Sequence, residues 1–297
     1  MTPMNNDIPA LPCWLNGEIS TIRDAKVSVL DRGFIFGDGI YEVVPAYNGR
    51  PFRFEEHMAR MDRSLREMRI PNPMDRAGWR KVVDQLIDAY AKHVGRKAED
   101  THQLVYLQIT RGVAMRDHAM PADITPTVFG MVNRLYIYTA EERAKGAMCV
   151  TADDFRWEKA HIKSTSLAGA VLSRQMSADV GGNETIMFRD GSLSEAAASN
   201  VWVVKNGVVL GAPRDNLVLE GIRYGLLEEL CARAKIPFEL RRVSREEVLA
   251  ADEILLSSAT KEILPCTVLD GRPVGNGKPG PIYEKLFAGY QQAKQAS

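Results

Sequence analysis

Cysteine is scarce: the chain has four, Cys13, Cys149, Cys231 and Cys266, far apart and with no Cys-x-x-Cys pair. No histidine sits near them at metal-ligand spacing, so neither a disulfide framework nor a metal centre is expected, only reduced thiols of a cytoplasmic protein. An excess charge of either sign is also missing, since Lys plus Arg and Asp plus Glu both number 38. No bulk field therefore favours nucleic acid or an anionic membrane, and an anionic ligand must be held by local arrangement. No run approaches the roughly eighteen apolar residues of a membrane span. The opening residues Met1 to Asp7 carry neither a basic stretch nor an apolar core, so no leader is expected. Gly37 and Gly39 do not form a dinucleotide fingerprint, because position 42 is Glu and no helix is expected to open there. Internal repeats and low-complexity tracts are absent too.

What is present is a folded composition, 45% hydrophobic and 26% charged. At 297 residues the chain exceeds one domain of roughly 100–200 residues, which predicts two. Short alternating segments surround Asn16-Gly17, and Asp31-Arg32-Gly33 with the run Phe34 to Val44 reads as a bend and then a strand. Met58, Met61, Leu65 and Met68 form one helical stripe, and Trp79, Val82, Val83, Leu86, Ile87 and Tyr90 a second. Strand-like runs return at 104–110 and 127–133. The expectation is a small α/β (α+β) domain over 1–134, a linker at 135–145, and a larger β-rich domain over 146–297. In the latter, strands are expected at 148–155, 185–189, 201–205, 208–210 and 253–257, with helices at 167–180 and 221–235.

Two residues stand out chemically. Lys163 precedes Ser164-Thr165-Ser166, which can cap the helix running through Leu167, Ala170, Val171 and Arg174. Most lysines are solvated surface charges, but this one falls at an element junction, where functional side chains concentrate. Arg156 and His161 are candidate neighbours able to depress its pKa. Glu195 follows the hairpin signal Asp190-Gly191, which would make it an ordinary exposed turn residue. The small residues Ala196, Ala197, Ala198 and Ser199 would instead let a flat ring approach the backbone, and a buried carboxylate there needs a cation, which a protonated pyridinium supplies. An amine and an acid so placed suit a pyridoxal phosphate enzyme, one holding the aldehyde and the other the pyridine nitrogen.

Several motifs taken together resemble the fold-type IV pyridoxal phosphate transaminases. They are Arg32-Gly-Phe-x-Phe-Gly-Asp-Gly-x-Tyr-Glu42, Ile162-Lys163-Ser164, Glu184-Thr-Ile-x-x-Arg-Asp-Gly191 and Ser194-Glu195 to Ser199-Asn200. That group includes branched-chain and D-amino acid transaminases, (R)-amine transaminases and aminodeoxychorismate lyase. The resemblance spans Asn16 to about Tyr290. It implies pyridoxal 5′-phosphate as cofactor, Lys163 as the Schiff-base lysine and acid/base, and Glu195 as the partner of the pyridine nitrogen. Arg60 matches the phosphate-binding arginine, against an ordinary reading as a helix-surface residue. Tyr41 matches the active-site tyrosine. Ser199, Asn200, Leu219, Gly221 and Ile222 fall in cofactor-contacting segments, the last two at a helix N-terminus suited to phosphate.

Two positions depart from the family pattern. Gly221-Ile222-Arg223-Tyr224 stands where Gly-Ile-Thr-Arg is usual, and Ala259 replaces a phosphate-binding Thr. Either Arg223 contacts the phosphate itself through charge-assisted bonds, or it turns outward and backbone amides with Ser258 or Thr260 suffice.

The loop Arg116-Asp-His118 places a fixed cation beside a second donor, suited to a carboxylate, although its spacing alone also fits a solvated loop. It resembles the carboxylate trap of D-amino acid transaminases, with Arg116, His118 and Tyr41 holding the substrate's α-carboxylate. The resemblance thus implies transfer of an amino group from a D-amino acid to a 2-oxo acid such as 2-oxoglutarate or pyruvate, with ping-pong kinetics. A branched-chain L-amino acid or (R)-amine transaminase, the lyase, and a non-catalytic cofactor-binding protein are the competing readings. The expected partners are these small molecules and a second copy in a homodimer, with no nucleic acid and no membrane.

Overall fold

The structure is a computed structural model that describes residues 8–295. The seven residues on which the reading of the N-terminus rests lie outside it. The chain divides into two compact units. The first runs up to Tyr136 and also takes in Ile162–Ser166, while the second holds Ile137–His161 and the chain from Leu167 onward.

The first unit is a six-stranded sheet in the order β2-β1-β6-β5-β3-β4. Its strands are β1 (Pro12–Leu15), β2 (Glu18–Thr21), β3 (Gly39–Tyr47), β4 (Arg50–Pro51), β5 (His102–Thr110) and β6 (Thr127–Arg134). All its pairings are antiparallel. Asn16 and Gly17, both at positive φ, make the tight turn between β1 and β2, as the Asn-Gly signal demands. Between β2 and β3 the expected bend is a short helix, α1 (Arg32–Phe36), started by Asp31 Oδ1 accepting from Gly33 N and ended by Gly37 at φ 66°. The Asp cap and the left-handed glycine are what convert the bend into a turn of helix.

The two apolar stripes are α2 (Phe54–Glu67) and α3 (Arg76–His93). They bury Met58, Met61 and Leu65 from one and Trp79, Val83, Leu86 and Ile87 from the other against Val44, Val105, Leu107 and Val132 of the sheet. Asp75 caps α3 by accepting from Gly78 N. Truncating Trp79, which is fully buried, to Ala is expected to cost about 3–5 kcal/mol.

The second unit is a nine-stranded sheet, β12-β11-β10-β13-β14-β7-β8-β9 with β15 on β14. Its strands are β7 (Ala147–Asp153), β8 (Glu184–Arg189), β9 (Ser192–Ala196), β10 (Asn200–Lys205), β11 (Val208–Gly211), β12 (Phe238–Leu240), β13 (Glu253–Ser258), β14 (Glu262–Leu269) and β15 (Arg272–Pro273). The pairs β14/β7, β7/β8 and β11/β12 are parallel. Asp190 and Gly191, both at positive φ, close the β8–β9 hairpin and so set where Glu195 lies on β9. Helices α5 (Ala168–Ala178) and α6 (Ile222–Ala234) match the two expected. Three more go beyond that expectation: α4 (Ala140–Lys145), α7 (Arg245–Leu249) and α8 (Pro281–Gln295). Helix α4 falls inside the segment 135–145 expected to be a linker, and it is organised by a capping box between Thr139 and Glu142. Within the described residues the four cysteines are buried and free, and no helix is long and apolar enough to cross a membrane.

Candidate active site

Lys163 lies on an extended segment that belongs to the first unit rather than to the β-rich one. Tyr41 N donates to Lys163 O at 2.9 Å, Thr165 N donates to Gly39 O at 3.0 Å, and Ile40 bridges Ser164. The segment therefore continues the free edge of β3. Lys163 N also donates to Ser64 Oγ at 3.2 Å. The neighbouring hydroxyls do not cap α5, whose N-cap is Leu167 with no side-chain bond. Thr165 Oγ1 and Ser166 Oγ instead both donate to Gly37 O, at 2.9 and 3.0 Å. The hydroxyls thus fasten the lysine segment to the end of α1. Gly37 sits in the left-handed region, and a Cβ there would come within 2.7 Å of Ser166 Oγ, so the contact requires glycine.

The Lys163 Nζ stands 4.2 Å from the centre of the Tyr41 ring, which in turn stacks on Tyr106 at 5.7 Å. Burial, with the nearby Tyr41 hydroxyl, pushes the Tyr106 phenol up to about 12. It stays neutral and donates to Gln108 Oε1. The neighbours expected for Lys163 are engaged elsewhere. Arg156 binds Asp154 and Glu195, and His161 Nδ1 lies 3.4 Å from Asn216 O.

Arg60 is not a surface residue. It is buried, with Nε and Nη2 donating to Glu42 Oε1 and Oε2 at 2.7 and 2.8 Å, while His57 Nδ1 lies 2.9 Å from Oε2. Burial alone would raise the Glu42 carboxyl, but the Arg60 charge and hydrogen bonds, with those of His57, outweigh it and hold the group well below the usual carboxylate range. Arg116 and His118 meet at Phe36. The Arg116 guanidinium is 5.4 Å from the Phe36 ring centre, and the His118 ring is 5.4 Å from it as well.

In the second unit Glu195 is only 5% exposed, which excludes the exposed-turn reading. Its Oε1 accepts from Arg156 Nη1 at 2.8 Å and Leu219 N at 3.3 Å, and its Oε2 from Asn200 Nδ2 at 3.1 Å. Burial is the larger influence and raises its pKa even against the opposing Arg156 charge. Asn200 Nδ2 also donates to Leu219 O at 2.9 Å, which joins Glu195, Asn200 and Leu219 in one network. Ser199 Oγ donates to Glu184 Oε2 at 2.8 Å, and Lys261 Nζ reaches the same oxygen at 3.1 Å.

Gly221 is the N-cap of α6 and carries no side-chain cap; Ile222 is the first helical residue. A Cβ at 221 would run into Asn200 Oδ1, so glycine lets the helix start close to the network around Glu195. Arg223 does not turn outward: it is 3% exposed, and its Nη2 donates to Tyr290 Oη at 3.0 Å. Ser258 Oγ and Thr260 Oγ1 lie 3.3 Å apart, and Ser258 Oγ accepts from Lys261 N at 3.1 Å. Sequence reasoning misses two parts of the setting of Glu195: it passes over Asp154, and it places Arg156 beside the lysine. The demand of a buried carboxylate for a cation is the signal that points to the arginine.

The chemistry of the two units is thus an amine held over an aromatic face in one, and a buried acid beside an uncapped helix N-terminus in the other. Fold and residues define an aminotransferase. Residues 39–269 match the family model of amino-transferase class IV, and the chain belongs to that family. It is 34% identical to the D-alanine aminotransferase of Bacillus licheniformis, over 94% of this chain and 95% of that one. It is 32% identical to that of Staphylococcus epidermidis, over 95% and 98%. The fold is shared with the branched-chain aminotransferase of Thermoproteus uzoniensis, at TM-score 0.83, 22% identity and 97% and 96% coverage. The branched-chain amino acid aminotransferase of Escherichia coli gives 0.82, 25%, 94% and 93%.

The cofactor of this class is pyridoxal 5′-phosphate, and the residues present fit it. A primary amine, a buried carboxylate with hydrogen-bonding neighbours and a helix start free of side-chain caps match an aldehyde, a ring nitrogen and a phosphate. Among the described residues no group of His, Cys, Asp and Glu could hold a metal ion.

Proposed function

We propose that the protein transfers the amino group of a D-amino acid, such as D-alanine or D-glutamate, to a 2-oxo acid such as 2-oxoglutarate or pyruvate. Pyridoxal 5′-phosphate supplies the carbonyl that carries the amino group and the ring that draws electrons from the substrate's Cα. Lys163 Nζ would hold the cofactor's aldehyde and, with the substrate bound, would serve as the acid/base for the proton on the substrate's Cα. The Tyr41 ring beneath the amine orients it. Glu195, kept in place by Asn200 and the Leu219 amide, would hold the ring nitrogen and favour its cationic form. Gly221 and Ile222 would offer helix N–H groups to the phosphate, with Arg60, Ser258 and Thr260 as further donors and Arg223, which follows Ile222, as a buried positive charge. The amine and the acceptor bind in turn, giving ping-pong kinetics.

The α-carboxylate is gripped by Arg116 and His118, with Tyr41 contributing its hydroxyl. The observation that carries the D-selective reading is that Arg116 and His118 share one aromatic support, Phe36, so the loop presents both donors together. Support also comes from the relatives named D-alanine aminotransferase across nearly the whole chain. The branched-chain likenesses, at 22% and 25% identity, are likenesses of fold. We also read the protein as a cytoplasmic homodimer. Val29 and Phe34 in the first unit, both 72% exposed, and Val171 and Leu172 on α5 are large apolar side chains of the kind a second copy covers.

Steady-state turnover of D-alanine, L-leucine and (R)-1-phenylethylamine with 2-oxoglutarate tests the assignment. D-alanine is expected to be the best donor, and turnover of L-leucine alone overturns it.

A further inference from the structure

The loop that carries Arg116 and His118 is exposed along its outer face, yet its backbone is tied down at both ends by the turn that contains α1. At the near end Arg32 N donates to Gly112 O at 2.9 Å, Ala114 N donates to Leu30 O at 3.3 Å, and Asp31 bridges Val113. At the far end the tie is a side chain: Arg32 Nη1 donates to Asp117 O at 2.6 Å. That carbonyl lies between the two residues proposed to hold the substrate carboxylate.

Arg32 is itself fixed. It is 4% exposed, its Nε donates to Asp38 Oδ2 at 2.8 Å, and its guanidinium lies 4.8 Å from the Phe36 ring centre. Asp38 also accepts from Arg111 Nε and Nη2, at 2.7 and 3.0 Å, and Arg111 donates in turn to the Met68 and Arg69 carbonyls. The Phe36 ring therefore has Arg32, Arg116 and His118 around it, at 4.8, 5.4 and 5.4 Å from its centre. Aromatic rings attract guanidinium groups through their quadrupole and hold them without consuming their N–H donors. A guanidinium seated this way keeps its hydrogen bonds for a ligand.

We infer that Arg32 and Phe36 are positioning residues that fix Arg116 and His118 for the substrate carboxylate, Arg32 by clamping the Asp117 carbonyl and Phe36 by seating both side chains, with Asp38 locking Arg32. The inference rests on the carboxylate role proposed above for Arg116 and His118. It predicts a specific defect: weaker binding of the carboxylate with unchanged cofactor binding and little change in proton transfer. Rigidly held donors gain affinity chiefly because less side-chain freedom is lost on binding.

The test uses the cofactor-loaded protein and the variants Phe36→Leu, Phe36→Tyr, Arg32→Gln and Arg116→Ala. Two quantities are read: KM and kcat for D-alanine, and calorimetric binding of propionate, which carries a carboxylate but no amine. Phe36→Leu and Arg32→Gln are expected to raise KM and weaken propionate binding by about 5- to 20-fold. Their kcat should stay within about twofold, because the Lys163 and Glu195 chemistry is untouched. Phe36→Tyr keeps an aromatic face and should behave as the parent. If Arg116→Ala weakens propionate binding while Phe36→Leu leaves it unchanged, the positioning role is wrong and the carboxylate reading stands. If Arg116→Ala itself changes nothing, the carboxylate reading is wrong and this inference falls with it. Should Arg32→Gln not fold, Phe36→Leu alone decides, since its ring is only partly buried and leucine keeps most of its apolar bulk.

Discussion

Arg156 spans two acids: its Nη1 donates to Glu195 Oε1 at 2.8 Å while its Nε and Nη2 grip Asp154 at 2.9 Å each. Asp154, whose side chain is fully buried, is 3.4 Å from Arg189 as well, and Arg189 Nη2 donates to the Arg156 carbonyl at 2.8 Å. The proposed acid for the ring nitrogen thus already has a cation within the chain. A pyridinium brought to Glu195 finds a carboxylate whose burial raises its pKa and whose arginine partner opposes that rise.

Replacing Arg156 by Met removes the cation shared by both acids and leaves the buried Glu195 carboxyl without its arginine. Breaking a buried pair from one side costs about 3–5 kcal/mol, so Arg156→Met is expected to lower stability by that order in urea unfolding. Its Glu195 carboxyl should rise further and give up the ring nitrogen. Turnover of D-alanine should fall at least about tenfold, with a changed pH dependence of the bound cofactor's absorbance. An unaltered absorbance titration would separate Arg156 from the acid's function.

The same network sets a pH dependence of stability. Burial pushes Asp154 up, but the Arg156 hydrogen bonds and charge prevail and bring it from 3.8 down to about 2. A carboxyl with a depressed folded pKa stabilises the fold above its unfolded value and loses that contribution as pH falls towards the folded one. Asp154 should therefore contribute on the order of 2 kcal/mol at pH 6, lost between about pH 4 and pH 2. Glu195 has the opposite sign: with its pKa raised, its ionisation destabilises the fold, and part of that cost is recovered as pH falls. Urea unfolding from pH 7 to pH 3 should show the net loss, and Asp154→Asn should flatten it. An identical slope in the variant counts against this assignment.

Much of the fold obeys local rules and was legible from sequence. The stripes through Met58, Met61 and Leu65 and through Trp79, Val83 and Leu86 are helical whatever surrounds them, and Asn16-Gly17 and Asp190-Gly191 specify tight hairpins. β14 was hidden because it carries Glu262 and Pro265 in the middle of the sheet, and an interior proline argues against a strand. Glu262 is tolerated because Arg143 and Lys294 both bind its carboxylate, partners 119 and 32 residues away. Helix α8 shows only Tyr283, Leu286 and Tyr290 to the core, too thin a stripe to declare itself. In the site, the amine and the acid could be picked out from their neighbours in sequence. Their settings could not, because Lys163 reaches the edge of β3 and Arg32 reaches Asp117 only after the chain has folded.

Glu42 illustrates what such hidden partners are worth. It is fully buried and shared by Arg60 and His57, so Glu42→Gln keeps the shape, removes the charge and leaves Arg60 buried beside a neutral amide. A loss of about 3–5 kcal/mol is expected in chemical denaturation. If Arg60 also serves the phosphate, the freed guanidinium will shift and cofactor affinity will fall with stability. Measured together, a stability loss with an unchanged cofactor dissociation constant would assign Arg60 to the fold alone.

Lys163 and Tyr41 separate chemistry from orientation. Lys163→Ala removes the only group proposed to hold the aldehyde and move the proton, so borohydride should no longer fix cofactor to the protein. kcat should drop by at least about 10³-fold. Tyr41→Phe keeps the aromatic face 4.2 Å from the amine and removes only the hydroxyl, so fixation should persist at the parental rate while KM for D-alanine rises. Tyr41→Ala removes the face as well, and both the fixation rate and kcat should fall, since a cation over a ring at this distance is worth about 0.5–2 kcal/mol. The order of the three variants is the test. If Tyr41→Phe and Tyr41→Ala prove equally slow in fixation, the ring does not orient the amine, and the contact seen between them is only packing.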